Sequence, residues 1–140
     1  MIKSNLNFHQ TFKPERNYIS TILTDALIVS GMNVQEIAEQ TGIPTGKSSG
    51  KVEATLAYCD YMNLITKKKV NGTYQIALTP IGKCVRQEDV GLSEKLTILL
   101  CHCMLVRRIK GASLWSYIFH GIFPKCRNEI ENSLFSKEIE

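Results

Sequence analysis

The sequence lacks the parts from which most small catalytic or metal-binding domains are built. Its five cysteines, Cys59, Cys84, Cys101, Cys103 and Cys126, are an odd number and include no CxxC pair, so neither a ribbon-type zinc site nor a closed disulfide framework is indicated. No signal peptide opens the chain, and reduced thiols in a cytoplasmic protein are therefore expected. The longest apolar run, residues 96–106, is interrupted by His102 and is too short to cross a bilayer, which argues against a membrane partner. Repeats and low-complexity segments are missing as well. So is any histidine placed beside a serine or cysteine in a way that assembles a nucleophile and its base. No catalytic group, cofactor or metal is expected, and 140 residues make a single domain with a real core.

One stretch pulls the other way. In "TGIPTGKSSGKV", Thr41 to Val52, the ending Gly46-Lys47-Ser48 looks like a loop that wraps nucleotide phosphates. A P-loop needs four residues between its first glycine and the Gly-Lys-Ser, so that consecutive amides curl around the β-phosphate. Only Ile43, Pro44 and Thr45 separate Gly42 from Gly46. The loop must also leave a buried strand, whereas Val34, Ile37, Ala38 and Thr41 recur at helical spacing. No apolar strand ending in aspartate follows to hold magnesium. Nucleotide binding is not expected.

Helical and strand signals then alternate in a definite order. Ile19, Ile22, Leu23, Ala26 and Leu27 mark an amphipathic helix from Tyr18 to Val29, closed by Gly31. Asn33 with Glu36 three residues later starts a short helix over 34–41. Gly42-Ile43-Pro44 forces a turn, with Ile43 as its apolar plug. A third helix is expected from about Ser48 to Met62, with Val52, Leu56 and Cys59 on one face and Asn63 in the left-handed position at its end. Two short runs around Asn71-Gly72 form a hairpin with Tyr74, Ile76 and Leu78 inward. Thr79-Pro80 opens a further helix.

Helix, short helix, turn, helix, hairpin is the order of a winged helix-turn-helix, and "QEIAEQTGIP", "VEATLAYCDYMNLI" and "YQIALTPIG" resemble that superfamily. The expected fold is mainly α, a winged helix-turn-helix with a two-stranded wing plus additional C-terminal helices. Its divisions would be an arm (1–17), the winged core (18–90), a helical extension (91–125) and a terminal helix or linker (126–140). More narrowly, "FHQTF", "TGKSSGKV", "LTPIG" and "LTILLCHCML…LWSYIF" resemble the N-terminal part of a bacterial family of unknown function found near DNA phosphorothioation and phage-defence genes. Members of that family tend to be longer, which implies a fragment or a short form here. They carry glutamate where Gln10 stands and an aromatic where Cys103 stands.

The fold resemblance gives the charges a place. Residues 45–86 hold seven Lys/Arg against Glu53 and Asp60, a net of +5, while the remainder sums to −1. Thr45, Lys47, Ser48, Ser49, Lys51 and Thr55 would lie at the leading end of the recognition helix, and Lys67, Lys68, Lys69 and Asn71 on the wing. Helix N-terminal amides, short hydroxyls and lysines suit the phosphates and groove of double-stranded DNA. The plainer reading is a solvated face. The functional expectation is a non-enzymatic DNA-binding module of a modification or defence system. The alternative is a protein adaptor or dimerisation subunit using the fold without DNA. An exposed, continuous positive third helix and wing would favour DNA; a third helix covered by another element would favour the adaptor.

Beyond the wing, Ser93 is expected to cap a long helix whose apolar stripe is Leu92, Leu96, Leu99, Leu100 and Cys103. Cys101-His102-Cys103 does not have ligand spacing, since helix neighbours diverge by about 100°. Trp115, Tyr117, Phe119 and Phe123 form a cluster read first as core and second as a partner or homodimer surface. His9 and His120 are read as packing residues. Ile130, Leu134 and Ile139 show loose helical spacing in a tail suited to docking on a partner.

Overall fold

The structure, a computed structural model, describes residues 6–46 and 50–127. Its elements run α1 (Arg16–Val29), α2 (Val34–Thr41), α3 (Lys51–Tyr61), β1 (Ile65–Val70), β2 (Thr73–Leu78), α4 (Pro80–Glu88), α5 (Lys95–Val106) and α6 (Ser113–Tyr117), the last continuing into a π-helical turn, Ile118–Ile122. The chain is mainly helical with one two-stranded antiparallel sheet, in the order of a winged helix followed by C-terminal helices.

Local chemistry explains the boundaries. The Asn33 side chain accepts from the Gln35 and Glu36 amides while Glu36 accepts from the Asn33 amide, a reciprocal cap that starts α2. Gly42, at φ 69°, ends it by donating its amide to the Ala38 carbonyl. The wing register pairs Ile65 with Leu78 and Val70 with Thr73, joined by Asn71 and Gly72 at φ 49° and 83°, the doubly left-handed turn that matches strand twist. A single bridge between Met32 and Tyr74 adds a rung from the α1–α2 link to the wing. Thr79 accepts from the Gly82 amide and donates to the Asn63 carbonyl, so one hydroxyl both caps α4 and ties it to the end of α3.

The core lies where α1, α2, α3 and the wing meet, around Ile22, Leu23, Ile37, Ile43, Leu56, Leu64 and Ile65, all but excluded from solvent. Ile43 is the plug of the turn, as its flanking glycine and proline imply. Asn63 takes the left-handed conformation at φ 59°.

Several sequence expectations are corrected. Leu27 is 74% exposed: the packed seam of α1 runs through Ile19, Ile22, Leu23, Ala26 and Val29, and Leu27 falls beside it. Helix α3 begins at Lys51 rather than near Ser48. Ser93 does not cap α5. The Asp89 carboxylate accepts from the Ser93 amide and hydroxyl and from the Glu94 amide, fixing the entry to α5 from outside the helix. Of the expected α5 stripe only Leu92 is buried. Leu96 is 77% and Leu99 58% exposed, Cys103 is exposed, and the buried side is Cys101, Leu105 and Val106. An almost wholly apolar helix has no polar face by which periodicity could orient it. The aromatic cluster is not core either. Trp115 packs against the core, but Tyr117 is 63% and Phe123 58% exposed.

Candidate functional site

The outer surface of α3, where a winged helix ordinarily meets a duplex, is occupied by the chain's own arm. Phe8 is buried with its ring 5.0 Å from Tyr58 and 4.7 Å from Tyr61. The Tyr58 hydroxyl donates to the Phe12 carbonyl at 3.0 Å. Gln10, at φ 52°, lies so close to Gly50 that a Cβ there would meet its side-chain amide at 1.9 Å, which is why glycine precedes the helix. Lys51 reaches Glu15 at 2.8 Å and sits 4.5 Å from the centre of the Tyr18 ring. The hydrogen bond from Lys51 to Glu15 holds the ammonium above the usual lysine value. As a result no residue of α3 is exposed: seven are buried and the other four half-buried.

The expected contact residues are thereby scattered. Lys51 turns inward to the arm instead of out to a groove. Thr55 is buried and donates its hydroxyl to the Lys51 carbonyl, a helix back-bond that leaves it nothing to offer a base. Thr45 is half-exposed just after the turn. Lys47, Ser48 and Ser49 lie outside the described residues. On the wing, Lys68 and Asn71 are exposed and Lys67 is half-buried. The Lys69 ammonium is 3.2 Å from a Glu53 oxygen that also accepts from the Tyr74 hydroxyl at 3.0 Å. Burial alone would raise the Glu53 carboxyl, but the bonds from Lys69 and Tyr74 outweigh it and hold the group below the ordinary glutamate value. Desolvation pushes Asp60 the other way, upward. Two carboxylates and a tied lysine thus line the hollow of about 270 Å³ between arm, α3 and wing, together with Lys67, Asn7 and Gln10.

Neither cysteine that packs inside is a nucleophile. Burial raises the Cys59 thiol far above its usual value, and that of Cys101 to about 11. Cys101 is buried and Cys103 exposed, so the two point apart as α-helical neighbours do. His9 stacks edge-on with Phe8 and approaches Trp115 at 6.3 Å, and a His120 ring nitrogen lies 3.0 Å from the Val106 carbonyl. Both histidines serve packing.

Exposed apolar area gathers instead on the extension. Tyr117, Phe119, Ile122 and Phe123 stand out from α6 and the π turn, with Phe119 5.2 Å from His102 of α5 and 6.2 Å from Phe123. Between α1, α5 and α6 lies an apolar cavity of about 210 Å³ lined by Ile19, Met62, Leu92, Ile98, Leu105 and Trp115. The Trp115 indole N–H beside it is buried without a hydrogen-bond partner among the described residues. No helix among the described residues is long and apolar enough to cross a membrane.

The sequence reading missed the arm. Its signal was present in "FHQTF", where two aromatics four residues apart precede α1, but spacing alone does not tell which face of the domain they cover. Comparisons of the chain with protein-family models, characterised proteins and solved structures find no match.

Proposed function

We propose that this chain is a non-enzymatic assembly module, a winged-helix domain that joins subunits and docks a partner protein through Tyr117, Phe119, Ile122 and Phe123. The observation that carries the reading is the covered third helix: with every residue of α3 at least half-buried, the element that would read a groove has no free side chains. The aromatic face supplies the alternative contact, because exposed aromatics grouped on one side are the usual anchors of protein interfaces. The resemblance of "FHQTF", "TGKSSGKV" and "LTPIG" supports a bacterial DNA-modification or phage-defence system as the setting. Recovery of the tagged chain from cells carrying its neighbouring genes tests this. A stoichiometric partner should be retained by the parent chain and lost from the Tyr117→Asp, Phe123→Asp variant. Equal recovery with both would refute the docking face.

A second reading, binding of double-stranded DNA, is favoured by one observation: Lys68 and Asn71 are exposed together at the wing, with Lys69 beside them. A gel shift with random duplex separates the two. Binding that weakens steeply with salt would install the DNA reading, since each phosphate contact contributes about 0.9 to the slope of log K.

A further inference from the structure

Helix α5 is apolar nearly all round, yet it gives only its Cys101–Leu105 side to the core, leaving Leu96, Leu99 and Cys103 as an uncovered strip. This strip lies in a region of one sign. Residues 95–127 contain Lys95, Arg107, Arg108, Lys110, Lys125 and Arg127 and no carboxylate, a net of +6. Lys95 opens α5, and Arg107 and Arg108 follow its end. Residues 128–140 have the opposite character: Glu129, Glu131, Glu138 and Glu140 against Lys137, a net of −3, with Ile130, Leu134, Phe135 and Ile139 among them.

We propose that residues 128–140 dock in cis on the outer strip of α5, their apolar side chains covering Leu96 and Leu99 and their glutamates meeting the basic residues at the helix ends. Length permits it. Helix α5 is about 18 Å long at 1.5 Å per residue, and thirteen residues span from about 20 Å as a helix to about 43 Å extended. Charge selects this occupant over a second copy of the same strip. A two-fold interface would set Lys95, Arg107 and Arg108 against their own equivalents, and like charges across an interface are costly. The strip is separate from the aromatic face assigned to the partner protein.

Cys103 stands in the strip and Cys84 on α4, both exposed among the described residues, which gives the test an internal reference. The full chain is labelled with a maleimide at low concentration, and rates at the two thiols are read by mass spectrometry of peptides. Cys103 should react at least about ten-fold more slowly than in the Leu134→Asp, Phe135→Asp variant, while Cys84 reacts equally in both. Glu129→Gln with Glu131→Gln should give part of the same release, as should high salt. Circular dichroism confirms the fold of each variant. Equal Cys103 rates in parent and variants would overturn the proposal. So would protection that vanishes on dilution together with a dimer mass, which would make the occupant a second copy. Because no partner protein enters the assay, either failure leaves the subunit-docking reading to its own recovery experiment.

Discussion

If the arm is a docked cover rather than a part of the folded core, Phe8→Ala should release it while the winged domain stays intact. Phe8 is 7% exposed and packs on the rings of Tyr58 and Tyr61 at 5.0 and 4.7 Å. Burial of one such side chain is worth about 1.5–3 kcal/mol. Each tilted or edge-on aromatic contact adds roughly 0.5–1.5 kcal/mol. The loss therefore comes to about 3–4 kcal/mol, comparable to what a short arm held by one ring, the Tyr58–Phe12 bond and the Glu15–Lys51 pair can contribute. Because the arm leads directly into α1, opening should be local, and global stability should fall by no more than the arm's own docking energy. Trp115 is the single tryptophan and lies 6.3 Å from His9 and 6.4 Å from Tyr58, so its emission reports on the covered side of α3. In a urea titration the variant should show a change in Trp115 emission at low denaturant, ahead of the loss of helical circular dichroism. Coincident transitions at the parental midpoint would refute the reasoning. A single transition shifted to much lower urea would show that Phe8 belongs to the cooperative core.

Further outcomes follow from other contacts. Gly82→Ala should lower the thermal midpoint by several degrees, because its Cβ would stand 1.7 Å from the Leu64 carbonyl oxygen and main chain cannot yield as a side chain can; differential scanning calorimetry checks this. The Asp89 carboxyl, held at about 2 by hydrogen bonds led by the Ser93 amide, is depressed from the unfolded value near 3.8, so its contribution is complete above about pH 4 and lost as pH falls towards 2. Asp89→Asn should flatten the acid limb of a pH–stability curve in that window, and an unchanged limb would remove Asp89 as the anchor of the α5 entry. Alanine at Lys67, Lys68 and Lys69 should cost less than about 1 kcal/mol in chemical denaturation, since the Lys69–Glu53 pair is solvent-exposed, and should leave partner recovery unchanged; a flattened salt dependence on duplex DNA would instead restore these lysines as phosphate contacts.

The winged core was legible because its punctuation is local. Asn33 with Glu36, Gly42, Asn71-Gly72 and Thr79-Pro80 each act through bonds to residues a few positions away, and each does so in the structure. The outer surfaces were not legible, since they depend on distant segments meeting. Nothing near Lys51 or Thr55 announces that an arm forty residues earlier would cover one and that helix packing would bury the other. The same limit applies to α5, where Leu96 and Cys101 are equally apolar and only tertiary placement decides which is wetted.

The π-helical turn after α6 bears on how the aromatic face tolerates change in length. Its closing bond runs from the Phe123 amide to the Ile118 carbonyl, five residues back rather than four, so the segment holds one residue more than an α-helix would. Deleting a single residue there, Gly121 for example, would return the helix to ordinary winding and rotate all that follows by about 100°. Phe123 would swing away from Phe119, and the chain would leave in a new direction. Insertions and deletions in this short stretch therefore act as a dial on the aromatic face, and a lineage that loses one residue here should also change the partner surface that this face meets.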